Sequence, residues 1–361
     1  FLSPTSNIAM PFDAMRTDGH EHVSFVHDGA TGLAAILAIH DTTLGPALGG
    51  TRLLEYPSEK AALTDVLRLS RAMTYKAAAA ALDLGGGKAV ILGDGSEEPG
   101  EALLRAYSRA VDTLGGTYIT TEDMNTSVGH MDVVAEATDH VVGTSAGLGD
   151  PSPVTAAGVC HGIRACLEHR TGDPSLADVR VVVQGVGKVG SDLAERLDDA
   201  GAEVVIADPN PDASASVREA TAGDIAVVPT EASLTEPCDV LAPCARSHLG
   251  LGEADSLREI IPDLGCEIVA GAANNALGDH GEATDFARLL DERGVLYAPD
   301  YVVNAGGLIL TDHDRRDGTR EAAFDDAAAI HDRLISMFET ADEEGITPLA
   351  AANRYAEARL A

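Results

Sequence analysis

The apolar positions fall into two rhythms along the chain. In the first part, residues 22–26 and 33–39 alternate or run apolar as strands do on either side of Asp28-Gly29, which predicts a hairpin. Ser58-Glu59 opens a helix in which Leu63, Val66, Leu67, Ser70 and Met73 recur at helical spacing. Short buried strands are predicted over 89–92 and 118–120, with a helix near 101–113 between them. Pro151 and Pro153 then punctuate the chain. Beyond them come a helix over 155–167, a buried strand over 179–183, a helix over 189–197 and a strand over 203–207. Further short strands are predicted near Val240, Ile268 and Val295. This alternation predicts a parallel sheet with helices on both faces. Residues 321–361 read as helical, with Ile330, Leu334, Met337 and Phe338 on one face. The expectation is an α/β protein of two domains, 1–150 and 151–334, with a C-terminal helix over about 335–361 packing back on the first.

Length agrees, since domains run to roughly 150 residues each and the chain has 361. Hydrophobic residues make up 45 % of it, enough for real cores. No apolar run reaches the ~20 residues that span a bilayer. No secretion signal is recognisable, and residues 1–9 are given no structural weight. The net charge of -33 argues against nucleic acids and anionic membranes as partners, because both repel such a surface. Only four lysines remain, at 60, 76, 88 and 188. A dense acidic surface with scarce lysine resembles salt-adapted (halophilic) proteins, in which ionic strength screens self-repulsion. Five cysteines without a CxxC pair or zinc spacing suggest buried thiols in a reducing cytoplasm, and the histidines show no metal spacing. No metal site is expected.

One segment of the second half carries a specific chemistry. Gly185-Val186-Gly187-Lys188-Val189-Gly190 fits GxGxxG, follows an apolar strand and opens a helix. The next strand ends in an acid, Asp208. In that context the first glycine permits a tight turn, the second lets backbone approach a pyrophosphate, and the third lets helix pack on strand. The helix N-terminus offers unpaired N–H groups to the phosphates. Asp208 is placed to accept from the adenosine ribose hydroxyls and to repel a 2′-phosphate, which predicts NAD over NADP.

In the first half, lysine scarcity draws attention to Lys76, in Met73-Thr74-Tyr75-Lys76, and Lys88, in Gly85-Gly86-Gly87-Lys88. Lys60 reads as ordinary surface. The three glycines would let backbone crowd a ligand and confine Lys88. A lysine taken out of water near another cation loses pKa and can act as a base at neutral pH. Asp123 follows a buried strand and emerges at its end. Two lysines and a carboxylate suit a small zwitterion: one lysine for its carboxylate, the acid for its amino group, the second lysine for a water. Lys88 and Asp123 read equally well as a buried ion pair of purely structural role. Arg52 reads either as orienting a loop acid or as helping to bind a carboxylate.

From about Leu44 onward the chain resembles the Glu/Leu/Phe/Val dehydrogenase superfamily, and most closely its branch for apolar amino acids. The matching segments are Gly45-Pro46-Ala47-Leu48-Gly49-Gly50-Thr51-Arg52, Met73-Thr74-Tyr75-Lys76 and Gly85-Gly86-Gly87-Lys88-Ala89-Val90. They continue with Pro153-Val154-Thr155, Ala242-Pro243-Cys244-Ala245, Gly271-Ala272-Ala273-Asn274-Asn275 and Asn304-Ala305-Gly306-Gly307.

The resemblance implies an N-terminal substrate and oligomerisation domain, a Rossmann-type NAD domain and a cleft between them. It implies reversible NAD-dependent oxidative deamination of an L-amino acid to its 2-oxo acid and ammonia, by a homo-oligomer. Lys76 would bind the substrate carboxylate with the Gly49 and Gly50 backbone, Lys88 would activate water, and Asp123 would relay protons at the amino group. Thr155 would hold the nicotinamide amide. Asn274 or Asn275 would touch the nicotinamide ribose and the substrate amine, and Asn304 would line the site. Ala242 and Cys244 join the cofactor side. Leu48, Leu308 and Thr311 would line the side-chain pocket. Leu48 stands where glutamate-specific relatives place a cation, so an uncharged substrate is expected. Leu308 favours a short branched side chain: valine, leucine or isoleucine. Asp123-Met124-Asn125-Thr126 departs from the glycine-containing leucine and valine pattern toward that of phenylalanine dehydrogenases, which makes phenylalanine the second choice.

Overall fold

Leu33, Ala35, Leu37 and Ile39 enter one apolar core while Ile36 and Ala38 enter another. This period-2 division of one strand is what a sheet covered on both faces requires. In a computed structural model, which describes residues 11–95 and 98–361, the chain divides into two units. Residues 1–9, set aside above, lie outside the described residues. The first unit is Phe1–Gly149 with Arg359–Ala361, and the second is Asp150–Ala358.

The first unit begins with helix α1 (Pro11–Asp18) and strands β1 (His22–Asp28), β2 (Leu33–Asp41) and β3 (Ala47–Leu54). Helix α2 (Glu59–Ala79), strand β4 (Gly85–Leu92), helix α3 (Glu101–Asp112), strand β5 (Tyr118–Glu122) and helix α4 (Val128–Ala135) follow. The strands form one sheet in the order β1-β2-β4-β3-β5. β1, β2 and β4 pair antiparallel in turn, whereas β4, β3 and β5 pair parallel. Ser58 caps α2 through a bond from the Ala61 N–H, which explains why the helix starts where the sequence predicts. α2 closes one face of the sheet through Ala62, Leu63, Val66 and Leu67, packed with Ile36, Ala38 and Val90. Tyr107 and Val111 of α3 and Met131 and Val134 of α4 close the other, against Ala47, Leu53, Ala89, Ile91 and Tyr118.

β3 has no place in the periodicity reading, because Gly45-Pro46 and Gly49-Gly50 look like loop. It is nonetheless the strand that joins β4 to β5. β4 also begins earlier than expected, at Gly85, so the glycine triplet is strand. The ligand-crowding expectation for that triplet is corrected here, because the protein itself occupies the space. A Cβ at Gly85 would meet the Asp41 carbonyl oxygen at 2.1 Å. One at Gly86 would meet the Thr74 nitrogen of α2 at 2.2 Å, and one at Gly87 the Tyr118 ring at 2.6 Å. The glycines bring α2 and Tyr118 close to β4.

The second unit opens with α5 (Ser152–Thr171), β6 (Arg180–Gln184), α6 (Lys188–Asp199), β7 (Glu203–Ala207), α7 (Pro211–Ala220) and β8 (Ala226–Val227). It continues with β9 (Val240–Pro243), α8 (Ala254–Ile260), β10 (Ile268–Val269), α9 (His280–Glu292) and β11 (Leu296–Tyr297). All six strands are parallel, in the order β11-β10-β9-β6-β7-β8. The chain builds outward from β6 to β8, then crosses back to β9 and builds outward the other way. That is a doubly wound sheet with its switch point between β6 and β9, where ligands bind such sheets.

The chain ends in α10 (Asp300–Val303), α11 (Gly306–Arg315), α12 (Arg320–Ala328), α13 (Ile330–Glu344) and α14 (Pro348–Leu360). Ile330, Leu334, Met337 and Phe338 are buried as the spacing predicts. α13 lies on α5, where Gly158 and Gly162 make room for Ile330 and Leu334. The expected return of residues from about 335 to the first domain is therefore much shorter. Only Arg359–Ala361 belong to the first unit, where Arg359 donates to the carbonyls of Ala78 at 2.9 Å and Leu82 at 3.2 Å. The apolar face of α13 is buried against α5 within the second unit.

Gly86→Ala is expected to destabilise the protein by about 1–3 kcal/mol, the usual cost of overpacking. Calorimetry would show this as a lowered Tm, and an unchanged Tm would mean that α2 moves away freely.

Candidate active and cofactor sites

Alternation decides which side chains of the first sheet share a face. Ala47 and Leu53 of β3 and Ala89 and Ile91 of β4 belong to the α3/α4 core. The intervening Leu48, Gly50 and Arg52 of β3, and Gly86, Lys88 and Val90 of β4, therefore lie on the α2 side. Asp123 is the first residue beyond β5 and joins them at the carboxyl ends of the parallel strands.

There the Lys88 Nζ lies 2.8 Å from Asp123 Oδ2, and the Arg52 Nε donates to the same oxygen at 2.5 Å. Gly50 borders this pair. A Cβ on it would come within 2.7 Å of the Asp123 Cβ and 3.3 Å of the Lys88 Nζ. The turn bearing Asp123 is stapled to β3. The Asp123 N–H donates to Thr126 Oγ1, that hydroxyl donates to the Thr51 carbonyl, and the Asn125 amide donates to the Leu53 carbonyl. Below the site, Tyr118 donates to the Gly49 carbonyl at 2.7 Å, and Tyr107, Thr51 and Thr120 share hydroxyl hydrogen bonds.

Lys88 is only 6 % exposed. Burial pushes its ammonium below the ordinary lysine range; Asp123 opposes that shift and Arg52 adds to it. Burial alone would raise the Asp123 carboxyl, but Lys88 and Arg52 override it and hold the group below the usual carboxylate range. The structural reading of Lys88 and Asp123 as a buried ion pair thus describes their geometry correctly. The same geometry sets a lysine lowered by burial beside a carboxylate held below its usual range.

The other first-unit candidates are placed less uniformly. Lys76 is half-buried in the last turn of α2. Leu48 is 1 % exposed and pairs in register with Gly86 and Ile119, so it sits in the body of the sheet. Asn125 has φ +59°, in the left-handed region that glycine and asparagine tolerate. An asparagine here therefore keeps the backbone course a glycine would take.

The second unit gathers its candidates at the switch point. Gly185 follows β6 with φ +93°, and a Cβ on Gly190 would strike the Gly185 carbonyl oxygen at 1.9 Å. This is the close helix–strand approach that the third glycine permits. α6 starts at Lys188 with Gly187 as N-cap and no side-chain cap, which leaves first-turn N–H groups for an anion. Asp208 accepts from the Val186 N–H at 2.8 Å through Oδ2 and from the Asn210 N–H at 2.8 Å through Oδ1. It therefore braces the loop. A hollow of about 440 Å³ beside it is lined by Pro209, Pro211, Arg218 and Val228, among others. Val189 lies in the first turn of α6, and Lys188 is exposed and ion-paired with Asp150 at 3.2 Å.

Ala242 is buried in β9, and the Cys244 N–H just after it donates to the Gln184 carbonyl across the switch point. The Cys244 thiol is pushed up to about 11 by burial. The Asn304 amide donates to the Ala272 carbonyl at 3.1 Å and to Asn274 Oδ1 at 3.0 Å, and its own Oδ1 is buried without a partner among the described residues. Asn275 has φ +52° and accepts the His248 N–H through its carbonyl. A Cβ on Gly307 would lie 3.0 Å from Thr155 Oγ1, so Thr155 stands against the start of α11. Leu308 is buried in α11, and the Thr311 hydroxyl is satisfied by the Gly307 carbonyl of its own helix. The uncapped helix, the braced glycine loop and the orphaned Asn304 oxygen all fit a dinucleotide.

Sequence reasoning missed Asp65 of α2. It accepts from Arg52 at 3.4 Å, Tyr56 at 2.7 Å and Arg68 at 2.8 Å. Its one signal was a carboxylate next to Val66, on the buried stripe of α2.

A dehydrogenase with a separate nucleotide-binding unit is the class these two sites define, and comparison with known proteins narrows it. The family model "Glu/Leu/Phe/Val dehydrogenase, dimerisation domain" matches residues 20–140, and "Glutamate/Leucine/Phenylalanine/Valine dehydrogenase" matches 147–210 and 211–341. The chain belongs to this family and is an amino-acid dehydrogenase. It is 46 % identical to the valine dehydrogenase of Streptomyces albus over 347 residues, 95 % of this chain and 93 % of that protein. It is 43 % identical to the leucine dehydrogenase of Bacillus cereus over 355 residues, 97 % of this chain and 93 % of that one. Among solved structures, L-tryptophan dehydrogenase from Nostoc punctiforme superposes with a TM-score of 0.84 at 40 % identity, covering 97 % of this chain and 98 % of that one.

Gly50→Ala is expected to lower kcat by about 10²-fold, because misplacing reacting groups by about 1 Å has that effect. Wild-type turnover in a steady-state assay would show that Asp123 and Lys88 tolerate the displacement.

Proposed function

We propose that this chain catalyses the reversible, NAD-dependent oxidative deamination of valine, leucine and isoleucine. The observation that supports this most is the buried Lys88–Asp123 pair beside Gly50, a lysine depressed by burial next to a carboxylate that stays charged. The identities above 40 % to a valine and a leucine dehydrogenase support the substrate class. In this reading Lys76 and the Gly49-Gly50 backbone bind the substrate carboxylate, and Asp123 takes a proton from its amino group. NAD, held by the glycine turn and the start of α6, would supply the acceptor for the hydride that leaves Cα. Asp123 stabilises the cationic iminium that remains. Neutral Lys88 removes a proton from the water that attacks the iminium carbon. Asp123 returns its proton to the amino nitrogen of the resulting carbinolamine. The C–N bond then breaks as the hydroxyl proton passes to Asp123 and the carbonyl forms. Ammonia leaves with the proton it received, as ammonium, and Lys88 gives its own proton to solvent.

On the cofactor side, the first turn of α6 holds the pyrophosphate, and Asp208 turns its remaining lone pairs to the ribose hydroxyls. Asn304 offers its free Oδ1, with Thr155, Asn274, Ala242 and Cys244 around it. Leu308 and Thr311 bound the side chain. The uncharged Leu48 supports the exclusion of glutamate. We further infer a cytoplasmic homo-oligomer, since the matching N-terminal model is a dimerisation domain and all five cysteines are free. No described helix is long and apolar enough to cross a membrane.

A second reading is an aromatic substrate, favoured by Met124-Asn125 and by the tryptophan-named neighbour. A methylene in an apolar pocket discriminates by only about 1–3 kcal/mol, so the two readings are close. The test is NADH formation with a panel of L-amino acids at low and at molar salt. Turnover with valine or leucine and not glutamate supports the proposal, and turnover with phenylalanine alone moves it to the second reading. Activity that rises with salt supports salt adaptation of the acidic surface. Lys88→Ala is expected to abolish turnover with NADH binding intact by fluorescence; near-normal turnover overturns the role of Lys88. Asp208→Ala is expected to weaken the preference for NAD over NADP, with Arg218 left beside the ribose. An unchanged NAD/NADP selectivity removes Asp208 from the ribose site.

A further inference from the structure

Five charged side chains from four segments of the first unit alternate in sign: Lys88, Asp123, Arg52, Asp65 and Arg68. Arg52 stands at the centre. Its Nε donates to Asp123 Oδ2, the oxygen that also meets Lys88, while its Nη1 reaches Asp65 Oδ2 at 3.4 Å. Asp65 is held from two further sides, by the Tyr56 hydroxyl on the same oxygen and by Arg68 on Oδ1. On each carboxylate of this chain burial alone would raise the pKa, and the neighbouring cations and donors outweigh it and hold the group below the usual carboxylate range.

We propose that Arg52, braced by Asp65 on α2, is a positioning residue for catalysis, which anchors Asp123 through Oδ2 and so leaves Oδ1 as the oxygen presented to the substrate amino group. This rests on the proposed roles of Asp123 and Lys88. A carboxylate held only by Lys88 would swing with that lysine and lie in a one-to-one pair with it. With Arg52 on the same oxygen the orientation is fixed from the β3 side, and Lys88 shares its counter-charge with a second cation. A guanidinium suits this place, since it bridges two carboxylates through separate N–H groups and never loses its charge. Asp65 prevents Arg52 from turning wholly toward Asp123, because Tyr56 and Arg68 fix it in turn. The titratable and charged groups facing this cluster are Lys88 of β4, Asp123 beyond β5, Arg52 of β3, Asp65 and Arg68 of α2, and Tyr56 between β3 and α2.

The two ends of the brace act in opposite directions on the acid limb of the kcat/KM–pH profile. Removing the Arg52 cation makes Lys88 harder to deprotonate and Asp123 easier to protonate, so the limb moves to higher pH. Removing the Asp65 anion does the reverse, so the limb moves to lower pH.

The test measures this profile for the full-length protein and for Arg52→Met, Arg52→Lys and Asp65→Asn, with L-valine or the best amino acid of the panel, beside NADH binding and Tm. For Arg52→Met, kcat is expected to fall on the order of 10²-fold, and the acid limb to rise by about one pH unit, with NADH affinity unchanged. Arg52→Lys keeps the charge and loses the two-sided bridge, so it should restore the position of the limb without restoring kcat. Asp65→Asn should lower kcat less and move the limb to lower pH. Limbs that stay in place, or that move the same way in both variants, overturn the proposal, as does full turnover of Arg52→Met. A loss of turnover that only tracks a lowered Tm in Arg52→Met, with no opposite shift in Asp65→Asn, assigns Arg52 to folding alone and equally overturns it. Failure of the underlying reading looks different: Lys88→Ala would then turn over normally, whatever the Arg52 variants do.

Discussion

A charge taken out of water is tolerable only beside its opposite, and the first unit is organised around one such obligation. Lys88 lies inside a strand, largely withdrawn from solvent. An uncompensated ammonium there would cost several kcal/mol, so Asp123 must stand against it, and the turn that carries Asp123 must be tied to β3. The hydrogen bonds from Thr126 and Asn125 to the β3 backbone are that tie. Arg52 and Asp65 extend the compensation to α2, and the helix that covers the sheet thereby takes part in the electrostatics of the site. Burial depresses Lys88 and the neighbouring cations keep Asp123 ionised. The same desolvation that makes the pair costly is what the proposed proton transfer would use.

Glycines make this placement possible. Gly86 lets the backbone of α2 come against β4, Gly87 admits the Tyr118 ring, and Gly50 lets the Asp123 turn come against β3, where a Cβ would meet the Glu122 carbonyl oxygen and the Asp123 Cβ at 2.7 Å. These residues look alike in sequence and do different work. Two are filled by the protein's own atoms. The third is filled as well, by the turn that carries Asp123, and it borders the Lys88–Asp123 pair.

For the anionic cofactor proposed above, the second unit would meet the corresponding problem differently. A doubly wound sheet opens at its switch point, and there an uncapped helix start, a glycine turn braced by Asp208 and the loop after β9 converge. The donors come from backbone, so they bring no desolvated charge of their own into the site. This suits a chain as acidic as this one, in which a cluster of lysines for phosphate would be exceptional.

The sequence by itself determined most of the elements and the chemistry class. β7 carries Val204-Val205-Ile206, a β-branched run bounded by turn signals, and α2 follows from Ser58 and a clear helical stripe, so local physics was enough. The glycine turn between β6 and α6 was legible because the spacing of its glycines is itself the constraint on such a strand–turn–helix. Tertiary structure alone decided the rest. Gly85–Gly87 and Gly49–Gly50 lie in strands because neighbouring strands and α2 need their missing side chains, a reason that no window of local sequence contains. The tail stayed with α5 because its apolar stripe found Gly158 and Gly162 there. Asp65, Arg52 and Asp123 are far apart in sequence and lie on a helix, a strand and a turn. Only the pleat of the sheet and the packing of α2 bring their charges within reach of Lys88, and electrostatic energy depends on that distance through space, not on separation along the chain.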